Sequence, residues 1–121
     1  MIKSTKVKAK AVAQYLDGVL VAKYPSIATA SLLTETQSAH IGKVAGGLRK
    51  TAGGSAWKFT RFDGQLAKTT TGLKQMDAIT GEVLAIFRDE TIASEVLGIS
   101  VKQIVRVLGD SRRSVQGYTF A

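Results

Sequence analysis

The chain has no cysteine, no asparagine and one histidine, and acidic residues are scarce: nine Asp and Glu stand against seventeen Lys and Arg. Without cysteine there is no disulfide, thiolate nucleophile or zinc ribbon, and His40 cannot build an all-histidine metal site alone. The net charge of +8 and pI near 10.0 favour a polyanionic partner, either nucleic acid or an anionic membrane surface. A merely soluble basic protein would show the same balance. No run of about eighteen apolar residues exists, which excludes a transmembrane helix. The opening "MIKSTKVKAK" sets lysines before an apolar stretch, but Asp17, Gly18 and Lys23 interrupt that stretch, so it reads as mature protein rather than a signal peptide. What remains, 121 residues with 45% hydrophobic content, is a globular composition that permits the cytosol.

Two segments resemble each other: "RKTAGGSAWKF" (49 to 59) and "RRSVQGYTF" (112 to 120). Sliding the chain against itself by sixty-three positions aligns Gly18 through Trp57 with Gly81 through Phe120 without a gap, and nine of the forty pairs are identical. Among them are Gly18/Gly81, Ile41/Ile104, Val44/Val107, Gly46/Gly109 and Arg49/Arg112; Tyr24/Phe87, Lys43/Arg106 and Trp57/Phe120 are similar. Apolar, cationic and glycine positions stay in step, which predicts a duplicated unit of about fifty residues.

Each unit opens with apolar segments around a turn signal. Asp17-Gly18 suits a two-residue hairpin, and Ala78 to Gly81 a looser one. Ser26 and Asp89 are placed to cap short helices through Ile27, Ala30 and Leu33 and through Ile92, Ala93, Val96 and Leu97. A second helix follows in "LGISVKQIVRVLG": Gly98 makes the bend, Ser100 caps, Gln103 offers a capping-box partner and Gly109 stops the helix. Ile104, Val107 and Leu108, with Val101 beside them, form its apolar face, opposite Lys102, Gln103 and Arg106. The expected fold is α+β, each unit a hairpin followed by helix-turn-helix and a short terminal strand. The predicted organisation is a basic arm (1–10), a first repeat (11–60), a linker (61–72) and a second repeat (73–121). Fifty residues bury little apolar surface alone, so the repeats are expected to pack as one pseudo-symmetric domain with their hairpins in a shared sheet.

The order hairpin, helix, "LGIS" bend, second helix, basic pair, glycine and aromatic resembles the nuclease-associated modular DNA-binding domain, the intron-encoded nuclease repeat of phage and organellar homing endonucleases. The ending "TAGGSAWKF" is similar to that family's basic, Gly-Gly, aromatic and Trp ending, with Ser55 where an aromatic is usual. The resemblance covers both repeats and no nuclease domain. It implies a helix-turn-helix that reads duplex DNA with its second helix, base-facing roles for Ser100, Lys102, Gln103 and Arg106, and backbone roles for Arg112 and Arg113. In the first repeat the base-reading candidates are Gln37, Ser38, His40 and Lys43, with Arg49 and Lys50 as the phosphate-binding tail. There Glu35 stands where the second repeat has Gly98: either positive φ is retained at a cost of about 1 kcal/mol, or Thr36 caps one residue early.

Charge divides unequally, with nine cations and two anions over residues 1 to 60 and eight and seven over 61 to 121. The first half and its lysine arm are therefore expected to supply nonspecific attachment, and the second more of the discrimination. Catalytic readings fail on residue types: one His and no Asn cannot form a His-Asn-His nuclease centre, Asp89 is explained as a cap, and Glu90 and Glu95 as solvated residues. Gly46-Gly47 and Gly53-Gly54 lack the following Lys-Ser/Thr of a nucleotide-binding loop and read as chain reversals. Trp57 and Phe120 read as core plugs beneath the basic turns. The expected function is a non-enzymatic, cofactor-free double-stranded-DNA-binding protein; the resemblance implies that it is phage-encoded, associated with DNA in the host cytoplasm, and either a transcriptional regulator or the free-standing remnant of a nuclease's targeting module. The alternatives are an adaptor or inhibitor acting on a host polymerase or nucleoid protein, and a nonspecific nucleic-acid coat. Two separate units would suit a direct-repeat DNA site; fusion would open a pseudo-twofold face.

Overall fold

Asp17 and Gly18 both take positive φ, 51° and 78°, and reverse the chain between β1 (Ala11–Leu16) and β2 (Val19–Tyr24). This is the twist-matched two-residue turn that the dipeptide favours. In the computed structural model the described residues are 10–62, 66, 72–110 and 114–121. A longer turn joins β4 (Leu73–Asp77) to β5 (Val83–Phe87). The Asp77 carboxylate organises it, accepting the N–H groups of Ile79 at 2.8 Å and Thr80 at 2.9 Å. Those two bonds hold the Asp77 carboxyl below its ordinary pKa of 3.8.

Both hairpins carry the same irregularity. Gln14 pairs with Ala22 and the next residue, Tyr15, with Leu20; Gln75 pairs with Ala85 and Met76 with Val83. Each second strand thus carries one extra residue, which increases local twist. The outer strands, β3 (Ala56–Thr60) and β6 (Tyr118–Phe120), add to β1 and β4 with Trp57 opposite Gln14 and Phe120 opposite Gln75.

Among the described residues the fold is α+β, one six-stranded antiparallel sheet in the order β3-β1-β2-β5-β4-β6 with four helices. The hairpins therefore share one sheet, joined where Ala22 pairs with Phe87 and Lys23 with Ile86. Lys23 and Ile86 are themselves sixty-three positions apart, so the seam is centred on a matched pair. Beside it Arg88 donates its N–H to the Val21 carbonyl at 2.7 Å. Pro25, at the corresponding place on the other side, has no N–H to donate.

The order strand, strand, helix, helix, strand occurs twice, with α1 (Ile27–Thr34), α2 (Ser38–Ala45), α3 (Glu90–Leu97) and α4 (Val101–Leu108). As the sequence predicts, Ser26 caps α1 through the Thr29 N–H and Asp89 caps α3 through the Ile92 N–H. The helices contribute Ala30, Leu33, Ile41, Val44, Ala93, Ile104 and Val107 to one core cluster with Val12, Ala22, Tyr24, Ala85 and Phe87 from the strands. Tyr24 meets Phe87 edge-on across the seam at 6.1 Å and Trp57 at 5.9 Å. Trp57 and Phe120 are buried, as plugs should be, and the Trp57 indole donates to the Ala52 carbonyl.

Lys23 and Ile86 alternate with these core residues and so face the opposite side of the sheet. Leu66, inside the segment read as a linker, is buried there beside Ile86. Gly72 has φ +82°, and a Cβ on it would stand 2.8 Å from both the Ile86 side chain and the Phe87 carbonyl and 3.2 Å from Leu66. Among the described residues no helix is long and apolar enough to cross a membrane.

Candidate nucleic-acid interface

The bend before each second helix uses a left-handed residue. Gly98 takes φ 71°, ψ 20° at the end of α3, and Glu35 takes φ 58°, ψ 33° at the end of α1. Of the two routes open to the first bend, the chain retains positive φ; Thr36 does not cap. Gln37 holds the N-cap position of α2 and makes no side-chain cap bond. Ser100 does cap α4, its hydroxyl accepting the Gln103 N–H at 3.2 Å. The second bend is therefore the better satisfied of the two.

Helix α4 buries only a narrow stripe, Ile104 and Val107. Lys102, Gln103 and Arg106 are exposed, as is Ser100 apart from its capping bond. The expected place of Val101 beside the buried face is corrected: Val101 is 40% exposed and Val105, one turn on, 50% exposed. At 100° per residue, Val101 and Val105 form one outward row and Lys102 and Arg106 the adjoining row. Sequence reading missed the valine row because Val101 lies next to the apolar stripe in projection. The four-residue spacing of two valines beside two cations was the available signal.

Helix α2 has the same buried stripe, Ile41 and Val44, and a different outward face. Ser38 and Lys43 are exposed and His40 half-buried. At the positions matching Val101 and Val105 stand Ser38 and Gly42, and Lys43 matches Arg106. Both helices thus present a cation in the last turn, where it complements the helix dipole.

After each second helix the chain reverses through another pair of left-handed residues. Ala52 and Ser55 bracket Gly53 (φ 61°) and Gly54 (φ 80°); Val115 and Tyr118 bracket Gln116 (φ 53°) and Gly117 (φ 85°). A Cβ on Gly53 would run into the Thr36 side chain, so the first turn is braced against the bend preceding α2. Arg49 and Lys50 are exposed between α2 and this turn. Arg112 and Arg113 lie outside the described residues, as do Lys3, Lys6 and Lys8 of the basic arm. In the second half Gln103 and Arg106 share a shallow cleft of about 230 Å³ with Ser114 and Val115, bringing the outer face of α4 against the start of the tail.

No family model matches this chain, and neither does any curated protein or solved structure.

Proposed function

We propose that this chain is a non-enzymatic, regulatory double-stranded-DNA-binding protein built from a duplicated hairpin and helix-turn-helix unit, with α2 and α4 as reading helices. The observation that carries the proposal is the outward face of α4. It is a capped helix after a left-handed glycine bend, buried along one stripe only, with Lys102, Gln103 and Arg106 free to project. Such a face fits a major groove about 12 Å wide. Arg49 and Lys50 supply phosphate contacts in the first half, and the tail following α4 does so in the second.

The register supports duplication independently of residue identity. Gln14 and Gln75 lie opposite Ala22 and Ala85, opposite Trp57 and Phe120, and immediately before the same strand irregularity. The pairing correspondence here is sixty-one positions rather than sixty-three, because the second hairpin turn is two residues longer.

Duplex titration over a salt series tests the proposal. Specific binding that weakens steeply with salt, with a slope of about −0.9 per phosphate contacted, and that favours selected over scrambled duplexes, supports it. Equal affinity for all duplexes leaves only the coating reading. Leu32 and Leu48, 76% and 83% exposed, favour the adaptor reading, which takes over when no duplex binds even at low salt.

A further inference from the structure

We infer that, resting on the DNA-binding reading above, the protein takes as a monomer an inverted pair of unequal half-sites, of which the α4 half presents thymine methyl groups to Val101 and Val105.

The inversion follows from the seam. Adjacent antiparallel strands are related by a twofold axis perpendicular to the sheet, and β2 and β5 pair antiparallel around Lys23 and Ile86. Strand order extends that relation outward, since β1 and β4 flank the seam and β3 and β6 close the edges. Helices α2 and α4 pack on β3 and β6 respectively, so they sit at opposite ends of one face and run in opposite senses. Inverted half-sites are what a twofold pair of reading helices on one face meets along a duplex. A direct repeat requires both helices to run in the same sense, which this pairing forbids.

The inequality follows from the outward rows. Val101 and Val105 are half-exposed neighbours of Lys102 and Arg106, so an occupant of this face must offer both apolar contact and negative charge. A major groove over an A·T step does so, with the thymine methyl at its floor and phosphates along its walls. The matching row of α2, Ser38 and Gly42, has no side chain able to cover a methyl group.

The test begins with duplexes selected from a random library by the full chain. The expected site is an imperfect inverted repeat protected by one protein copy. Replacing thymine by uracil, which removes only the methyl, lowers affinity about fourfold per contacted base in one half-site and leaves the other unchanged. The double substitution Val101→Ser and Val105→Ala removes the uracil effect while leaving salt dependence in place. A direct-repeat site, a single half-site, or uracil insensitivity in both halves with tight specific binding overturns this inference and leaves DNA reading intact. Absence of any duplex binding overturns both.

Discussion

Gln14 and Gln75 occupy corresponding places in the two hairpins, yet among the described residues only the Gln14 side chain finds hydrogen-bond partners. Its Oε1 accepts from the Tyr24 hydroxyl at 2.7 Å and its Nε2 donates to the Ser55 hydroxyl at 2.9 Å. Gln75 is completely buried, and among the described residues neither its Oε1 nor its Nε2 has a hydrogen-bond partner. The difference traces to two positions: Phe87 stands where the first half has Tyr24, and Tyr118 where it has Ser55. Burial also pushes the Tyr24 pKa well up, so its hydroxyl remains a donor at every ordinary pH.

Phe87→Tyr is accordingly expected to give the Gln75 Oε1 a donor and raise stability by about 1 kcal/mol, read as a higher denaturant midpoint at unchanged slope. Tyr24→Phe should lower it by about the same amount, by leaving the Gln14 Oε1 without its donor. A Phe87→Tyr protein no more stable than the parent would show that Gln75 needs no donor.

Glu35 holds a backbone conformation that side chains disfavour, at the position matching Gly98. Glu35→Gly should stabilise the fold by up to about 1 kcal/mol, and Gly98→Ala should destabilise it by at least about that much. Thermal unfolding of both variants measures this; a stabilised Gly98→Ala protein would contradict the shared bend geometry.

Asp77 gives the second hairpin an acid dependence. Its folded carboxyl titrates below 3.8, so the stability it contributes is fully present above that value and is lost as pH falls through the folded pKa. Asn at this position keeps an acceptor oxygen but does not ionise there. The stability difference between the parent and Asp77→Asn should therefore shrink between about pH 5 and pH 2. A difference constant across that range would remove the carboxylate from the account.

On DNA, Lys102→Ala and Arg106→Ala should erode sequence preference, by about 1–3 kcal/mol for a good base contact. Arg49→Ala should instead weaken binding to every duplex alike and reduce the salt slope by about one. Competition titrations with matched and mismatched duplexes separate the two behaviours; unchanged affinity in all three variants would sink the proposed surface.

Much of the local structure was legible because it rests on residues with few alternatives. Asp17-Gly18, the caps Ser26, Asp89 and Ser100, and the bend at Gly98 each follow from backbone constraints that short segments carry by themselves. The seam was harder to read, since pairing Lys23 with Ile86 depends on two distant edges meeting. Its effect shows only in the structure, where residues 21 to 24 are buried consecutively, without the alternation of a half-exposed strand. Leu66 escaped notice for a related reason. A single leucine in a threonine-rich stretch has no period, and only the tertiary position of Ile86 gives it a place to pack. At the candidate site the cations were visible as charge, whereas the exposure of Val101 and Val105 depends on how far α4 rolls over its stripe.

The central seam also bears on how the protein assembles. Each hairpin closes over a short local loop, but β2 and β5 meet only when the chain has brought positions 22 and 87 together, a much longer loop to close. Until then each half exposes an open strand edge that fits the other half of any copy. At high concentration two molecules can therefore trade halves, giving an intertwined dimer with two such seams.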